Sequence, residues 1–217
     1  MEKPVDNYWE LNLRDLEQRL ARNGFTVHRA DSPAHAGEVV INEILPALKP
    51  KTVSWGGSAT LAASGLRERL LASPDYEVLD TWDQSLSAGE KYELRRHSLL
   101  VDCFFCSSNA VTMEGHLVNL DMTGNRTGAL SFGPRNVVVL LSRNKLVPDL
   151  GRAMDRIKEY VAPVNAMRLN KKTPCAKTGY CMDCDSPDRI CNTWTITEKS
   201  YPKGRIVIVL INQDAGF

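Results

Sequence analysis

The segment Thr173-Pro-Cys175-Ala-Lys-Thr-Gly-Tyr-Cys181-Met-Asp-Cys184-Asp-Ser-Pro-Asp-Arg-Ile-Cys191 carries four of the six cysteines, spaced C-x5-C-x2-C-x6-C. Four thiolates converging on one point make a tetrahedral metal site, and Cys181 and Cys184 would be its chelating CxxC half. Pro174, Gly179 and Pro187 break regular structure, so Cys175, Cys181, Cys184 and Cys191 are expected on loops, which can bring them together. The spacing leaves an iron–sulfur cluster, a zinc ion and unligated or redox-active thiols all open. Cys103 and Cys106 form a second CxxC inside an apolar run. In a strand, positions i and i+3 face opposite ways, so these two read as small buried residues.

Three polar loops could bind or act on an anion. Gly56-Gly57-Ser58-Ala59-Thr60 joins a strand to a helix. Its glycines let backbone approach a ligand, and Ser58 and Thr60 add hydroxyls, either for a phosphate or carboxylate or for a tight turn with a serine cap. No Gly-Lys-Ser/Thr follows, so it is not a Walker loop. Ser107-Ser108-Asn109 follows a buried strand, where ligands of open α/β sheets tend to sit. Asn109 is a binding candidate there. Glu114 is a candidate general base or nucleophile, or else the turn of a hairpin with Gly115. Asp121-Met-Thr-Gly124-Asn125-Arg126 opens a helix. Arg126 could grip a carboxylate or phosphate with Asp121 orienting it, or the two could form a structural pair with Gly124 and Asn125 at the helix start.

These loops need elements to hold them. Leu13, Leu16 and Leu20 share one face of a helix expected over 8–23. A second helix starts at Ser32-Pro33 and stops at Lys49-Pro50. Strands are expected at 52–55, 76–79, 99–107, 116–120, 137–141, 194–197 and 206–211. Further helices are expected at 59–71, 88–98, 125–132 and 149–161. Alternating helices and buried strands predict an α/β fold: a largely parallel sheet with flanking helices, in one domain spanning 1–217. A cysteine-rich loop over 163–195 is set inside it.

The 217 residues carry 27 Lys and Arg against 26 Asp and Glu, and a net charge of +1 gives no electrostatic reason to expect nucleic-acid binding. The start, Met1-Glu-Lys-Pro-Val-Asp, lacks the apolar stretch of an export signal, and no apolar run reaches membrane-spanning length. A cytoplasmic location without a membrane partner is therefore expected, and in a reducing compartment clustered cysteines favour metal or redox chemistry over disulfides.

Several of these stretches together resemble a known family. Ser108-Asn109-Ala110-Val111-Thr112 to Gly115, Leu117-Val118-Asn119 to Asp121, Thr123-Gly124-Asn125-Arg126 and Phe132-Gly133-Pro134-Arg135-Asn136-Val137-Val138-Val139 are similar to the LUD domain, the lactate-utilisation protein C-like (LutC/YkgG) family. Gly56 to Leu61 falls where that family carries its upstream glycine loop, and Pro163 to Arg168 with Thr173-Pro-Cys175 resembles a cysteine-bearing branch. The resemblance spans about residues 10–211. It implies a NagB/RpiA/CoA-transferase-like fold and a role associated with L-lactate or hydroxy-acid oxidation beside iron–sulfur partner subunits. By analogy with that fold group, Gly56, Gly57 and Ser58 would cradle an anion, Glu114 would be the acid/base, and Asn125 and Arg126 would anchor a carboxylate. Two other functions compete. One is an isomerase- or CoA-transferase-like enzyme acting on a phosphorylated or CoA-linked substrate, with structural zinc on the cysteines. The other is a non-catalytic assembly module.

Overall fold

A computed structural model describes residues 2–217. In chain order the elements begin with α1 (Glu2–Arg22), β1 (Thr26–Ala30), α2 (Pro33–Val39) and α3 (Leu45–Leu48), then β2 (Thr52–Trp55), α4 (Ala59–Ala63), α5 (Leu66–Ala72), β3 (Glu77–Leu79) and α6 (Ala88–His97). The middle holds β4 (Cys103–Cys106), β5 (Ala110–Thr112), β6 (Leu117–Asp121), α7 (Asn125–Ser131), β7 (Asn136–Ser142) and β8 (Leu146–Val147). The chain closes with α8 (Leu150–Arg156), α9 (Ala162–Arg168), α10 (Pro174–Thr178), β9 (Thr193–Thr197) and β10 (Ile206–Ile211).

Strands β1, β10, β7, β4, β2 and β3 pair in that order as a parallel sheet. Its residues alternate between two cores, as the two-residue period of a strand requires. Val53, Trp55, Cys103, Phe105, Val138, Leu140, Val207 and Val209 face the layer of α2 to α5. Phe104, Cys106, Val137, Val139, Ile206 and Ile208 face Leu13, Leu16 and Leu20 of α1 and Ala129 and Leu130 of α7. Cys103 and Cys106 thus point to opposite faces, as expected, and burial pushes both thiols up, Cys106 to about 12.

Several elements depart from their expected bounds. The strand expected at 99–107 begins only at Cys103, because Ser98–Leu100 extends α6 as a 3-10 turn. Strand β1 was not expected; its half-buried alternation is weak because it lies at the sheet edge. The helix expected over 59–71 divides at Gly65, whose φ of 64° no helix accommodates. Two helices run on through a proline by widening one turn. The Leu45 N–H reaches Val40 O ahead of Pro46, and the Ala162 N–H reaches Ile157 O ahead of Pro163. A π turn absorbs the missing N–H and the ring clash of proline. Residues 163–168, assigned to the cysteine loop by sequence, are therefore helical. Cys175, expected on a loop, lies in α10, which starts at Pro174 and ends at left-handed Gly179.

A second sheet is ordered β8-β5-β6-β9. Its β5–β6 and β6–β9 pairs are antiparallel and β5–β8 is parallel. Ala110, Val118 and Leu120 face Ala153, Ile157 and Val161 of the α8 segment. Among the described residues, no helix is long and apolar enough to cross a membrane.

Candidate functional site

The four central strands of the parallel sheet, β2, β4, β7 and β10, send the loops that follow them to one cleft of about 200 Å3. Gly57 and Ser58 come after β2, Ser107 to Asn109 after β4, Lys145 after β7, and Gly216 and Phe217 after β10. From β2 the chain moves outward to β3, and from β4 it moves the opposite way to β7. The two loops diverge, and a crevice opens between them at the carboxyl edge.

The floor of the cleft is a network around Arg126. Its Nε and Nη2 donate to Asp121 Oδ1 (3.0 and 2.5 Å), Nη1 to Ser107 O and Asn119 Oδ1 (2.9 and 2.5 Å), and Nη2 also to Asn109 Oδ1 (2.7 Å). Asp121 Oδ2 accepts from the Arg126 and Thr127 amides (3.0 and 2.9 Å), and Gly124, at φ 83°, makes the turn that aims them. This corrects the expectation for Arg126. The guanidinium is buried and committed to internal acceptors, so it ties the loops after β4 and β6 together and leaves no fork for a ligand. The Oδ1 of Asn109 is committed too, since it also accepts from the Leu120 amide at 2.9 Å, while its Nδ2 has no acceptor among the described residues and Asn109 stays in the cleft lining.

Lys145, which sequence reasoning did not select, is the unexpected member. Its side chain is buried in the cleft lining, with the residue only 3% exposed, and Nζ donates to Thr60 Oγ1 at 2.8 Å and Ser107 Oγ at 2.7 Å. It has no carboxylate partner among the described residues. Desolvation, then the Arg156 and Arg126 cations, pull its pKa down to about 7. Arg156, also unforeseen, donates to Asn109 O and Asn144 O, both at 3.0 Å, and so clamps the loops after β4 and β7. The only sequence trace of Lys145 was a lysine four residues beyond the apolar run Val137 to Leu141, and nothing local set it apart from Arg143 and Asn144, which are half-buried.

The expected glycine loop is at the site. Ser58 caps α4 by accepting from the Leu61 amide at 3.1 Å, while Gly57 has open space where a Cβ would stand. Gly56 instead packs against Phe104 and the Arg126 Cβ, so it serves close packing. Thr60 turns inward and donates to Ala215 O at 3.1 Å. Asn125 lines the rim with Arg95 and Arg168. Arg168 donates to Asn165 Oδ1 and lies over the Phe217 ring, and burial lowers its pKa. Neither Arg95 nor Arg168 has a carboxylate partner among the described residues. Among the described residues, the one acidic side chain lining the cleft is Asp121, and Arg126 already holds it. A wider recess of about 610 Å3, with Trp82 and Lys91 on its wall, adjoins the cleft across Ser58 and Arg95.

Glu114 is not brought to this site. It sits in the turn between β5 and β6, its side chain 65% exposed and 3.6 Å from His116 Nδ1, while its carbonyl accepts from Asn23. The hairpin alternative holds for Glu114: Gly115, at φ 83°, completes the turn, and β5 carries the chain away from the cleft.

The four cysteines of the loop line a separate small concavity floored by Ala162 and Pro163. The Asp183 amide donates to Cys181 Sγ at 3.4 Å, and Thr173 Oγ1 lies 3.3 Å from Cys175 Sγ. Among the described residues, however, no three His, Cys, Asp or Glu side chains are arranged to hold a metal ion. Ile190 lines both this concavity and the cleft.

The LUD domain family model matches residues 13–211, so the chain belongs to the LUD domain family. A crystal structure of a DUF162 family protein from Deinococcus radiodurans is similar in fold, with a TM-score of 0.51 at 15% identity over 94% of this chain and 98% of that one. No curated protein matches the chain.

Proposed function

We propose that this LUD-domain protein binds a small carboxylate of the hydroxy-acid or oxo-acid class in the cleft at the carboxyl edge of its parallel sheet. The family's general association with lactate utilisation supports that substrate class. The observation that carries the reading is the charge balance of the cleft. Arg95 and Arg168 line it without carboxylate partners among the described residues, and the one acidic side chain among those lining it, Asp121, is neutralised by Arg126. Unbalanced cations in a partly desolvated cleft favour an anionic ligand, and a cleft of about 200 Å3 suits a few-carbon acid better than a long chain. Within this reading the protein works as a subunit beside iron–sulfur proteins that carry the electrons of hydroxy-acid oxidation.

Calorimetric titration with pyruvate and L-lactate, against phosphate and coenzyme A, tests it. Saturable binding of either acid is expected, with Arg168→Gln costing about 1.5–3 kcal/mol, roughly 10- to 100-fold in affinity. No binding of either acid would overturn the reading.

The adjoining recess favours a second one, a phosphorylated or CoA-linked substrate whose larger part lies against Trp82, Lys91 and Arg95. Tight coenzyme A binding that Lys91→Gln weakens, with no response to the small acids, would select it. For the cysteine loop, convergence on one concavity favours a thiophilic metal, zinc or an iron–sulfur cluster. The present arrangement of Cys175, Cys181, Cys184 and Cys191 does not fit one ion, so loading would require the loop to draw in. Elemental analysis with an absorption spectrum on protein purified without oxygen decides between zinc, iron with sulfide, and free thiols.

A further inference from the structure

We propose that Lys145 is a catalytic nucleophile whose Nζ condenses with the carbonyl carbon of a small 2-oxo acid to form an imine. The inference rests on the small-carboxylate reading of the cleft and names the reactive class within it, a carbonyl compound.

Thr60 Oγ1 gives its own hydrogen to Ala215 O at 3.1 Å, and Ser107 Oγ directs its hydrogen to Ser108 O at 3.4 Å. Both hydroxyls therefore meet Lys145 as acceptors, at 2.8 and 2.7 Å. An uncharged amine has two N–H groups and one lone pair. With both N–H groups taken by the two hydroxyls, the lone pair is the remaining direction at Nζ, a group that lines the cleft.

No carboxylate among the described residues pairs with Nζ to hold it as an ammonium. Asp121 is bound by Arg126, and Arg126 and Arg156 both oppose a further positive charge. Desolvation acts the same way and brings the value to about 7, so a substantial share of Lys145 is free amine near neutrality. The backbone behind it is fixed by the Arg156 clamp on Asn144 and Asn109. A lysine kept only as a structural cation would be expected to face a carboxylate or carbonyl oxygens, whereas this one faces two hydroxyls and a cleft.

The step balances without an oxidant or reductant. The Nζ lone pair forms the N–C bond while the carbonyl π pair moves to oxygen, which takes a proton. The resulting carbinolamine loses that oxygen as water, and the second amine proton leaves with it. Amine and ketone become imine and water.

Borohydride trapping on the full chain tests this. Protein is incubated with pyruvate, treated with borohydride, digested and mapped by mass spectrometry. The expected result is a 1-carboxyethyl group on Lys145, at a yield far above that of any surface lysine and rising with pH through about 7. L-lactate has no carbonyl and should leave no adduct. Lys145→Arg, checked for folding by its melting transition, should abolish the adduct. Pyruvate binding by calorimetry without a Lys145 adduct overturns the imine and leaves the small-carboxylate site standing. Absence of pyruvate binding together with absence of adduct overturns both. An adduct spread evenly over surface lysines overturns the imine alone.

Discussion

Two cations at the cleft carry opposite fates. Arg126 is expensive to bury, and its cost is offset by Asp121 and four further oxygen acceptors, so removing either partner would strand a buried charge. Lys145 has two hydroxyl acceptors and no carboxylate among the described residues, and its depressed pKa is a statement about stability. In the unfolded chain it titrates near 10.4; in the folded chain, near 7. Below about 7 both states are protonated and the folded state bears the full cost of the buried ammonium. Between about 7 and about 10 the unfolded chain holds the extra proton, so stability rises with pH. Urea denaturation across that range should show wild type gaining on Lys145→Met as pH rises, by an amount on the order of a few kcal/mol. A difference that stays flat would mean that Lys145 is solvated and not buried.

At the scale of elements, the sheet layer is set by how closely helices approach it. Gly37 of α2 lies where a Cβ would stand 2.5 Å from Ser64 O, at the break between α4 and α5. That contact lets α2 and α4 pack side by side over the sheet. Gly37→Ala should push them apart and cost about 1–3 kcal/mol, read as a lower urea midpoint. Gly89 of α6 has nothing within 4 Å of its Cβ position. Gly89→Ala should be neutral or stabilising by up to about 1 kcal/mol, because it removes backbone freedom from the unfolded chain without a clash. If both variants behaved alike, the close approach of α2 would not be the cause.

On the scale of the whole molecule, stability is unevenly distributed. Strands β7 and β10 are buried on both faces and paired on both edges. The stretch from 179 to 192 has no helix or strand, and most of it is exposed or half-buried. Hydrogen exchange should therefore be slowest in β10 and β7 and fastest across 179–189, with graded opening between them. Because Ile190 belongs to both the cleft and the cysteine concavity, a ligand that fills the cleft should slow exchange at 190–192 as well as at Gly57 and Ser107. Protection confined to the cleft loops would show that the two sites are uncoupled.

Periodicity and punctuation determined much of this protein before any coordinates. The strands β7 and β10, the leucine face of α1, the capped start of α2 and the opposed Cys103 and Cys106 follow from local patterns, because strand and helix periods are properties of short segments. Family-bearing motifs such as Thr123 to Arg126 were legible for the same reason. Tertiary structure alone decided the rest. Arg126 looked available until Asp121, Asn119 and Asn109 closed around it. Glu114 looked catalytic until the β5–β6 turn carried it away from the cleft. Lys145 was unremarked among 27 basic residues until β7 delivered it between Thr60 and Ser107, which lie 85 and 38 residues away along the chain. Sequence records which groups a chain carries, but desolvation and the neighbours that determine a charge's free energy are supplied by distant segments and exist only once the sheet has brought its carboxyl edges together.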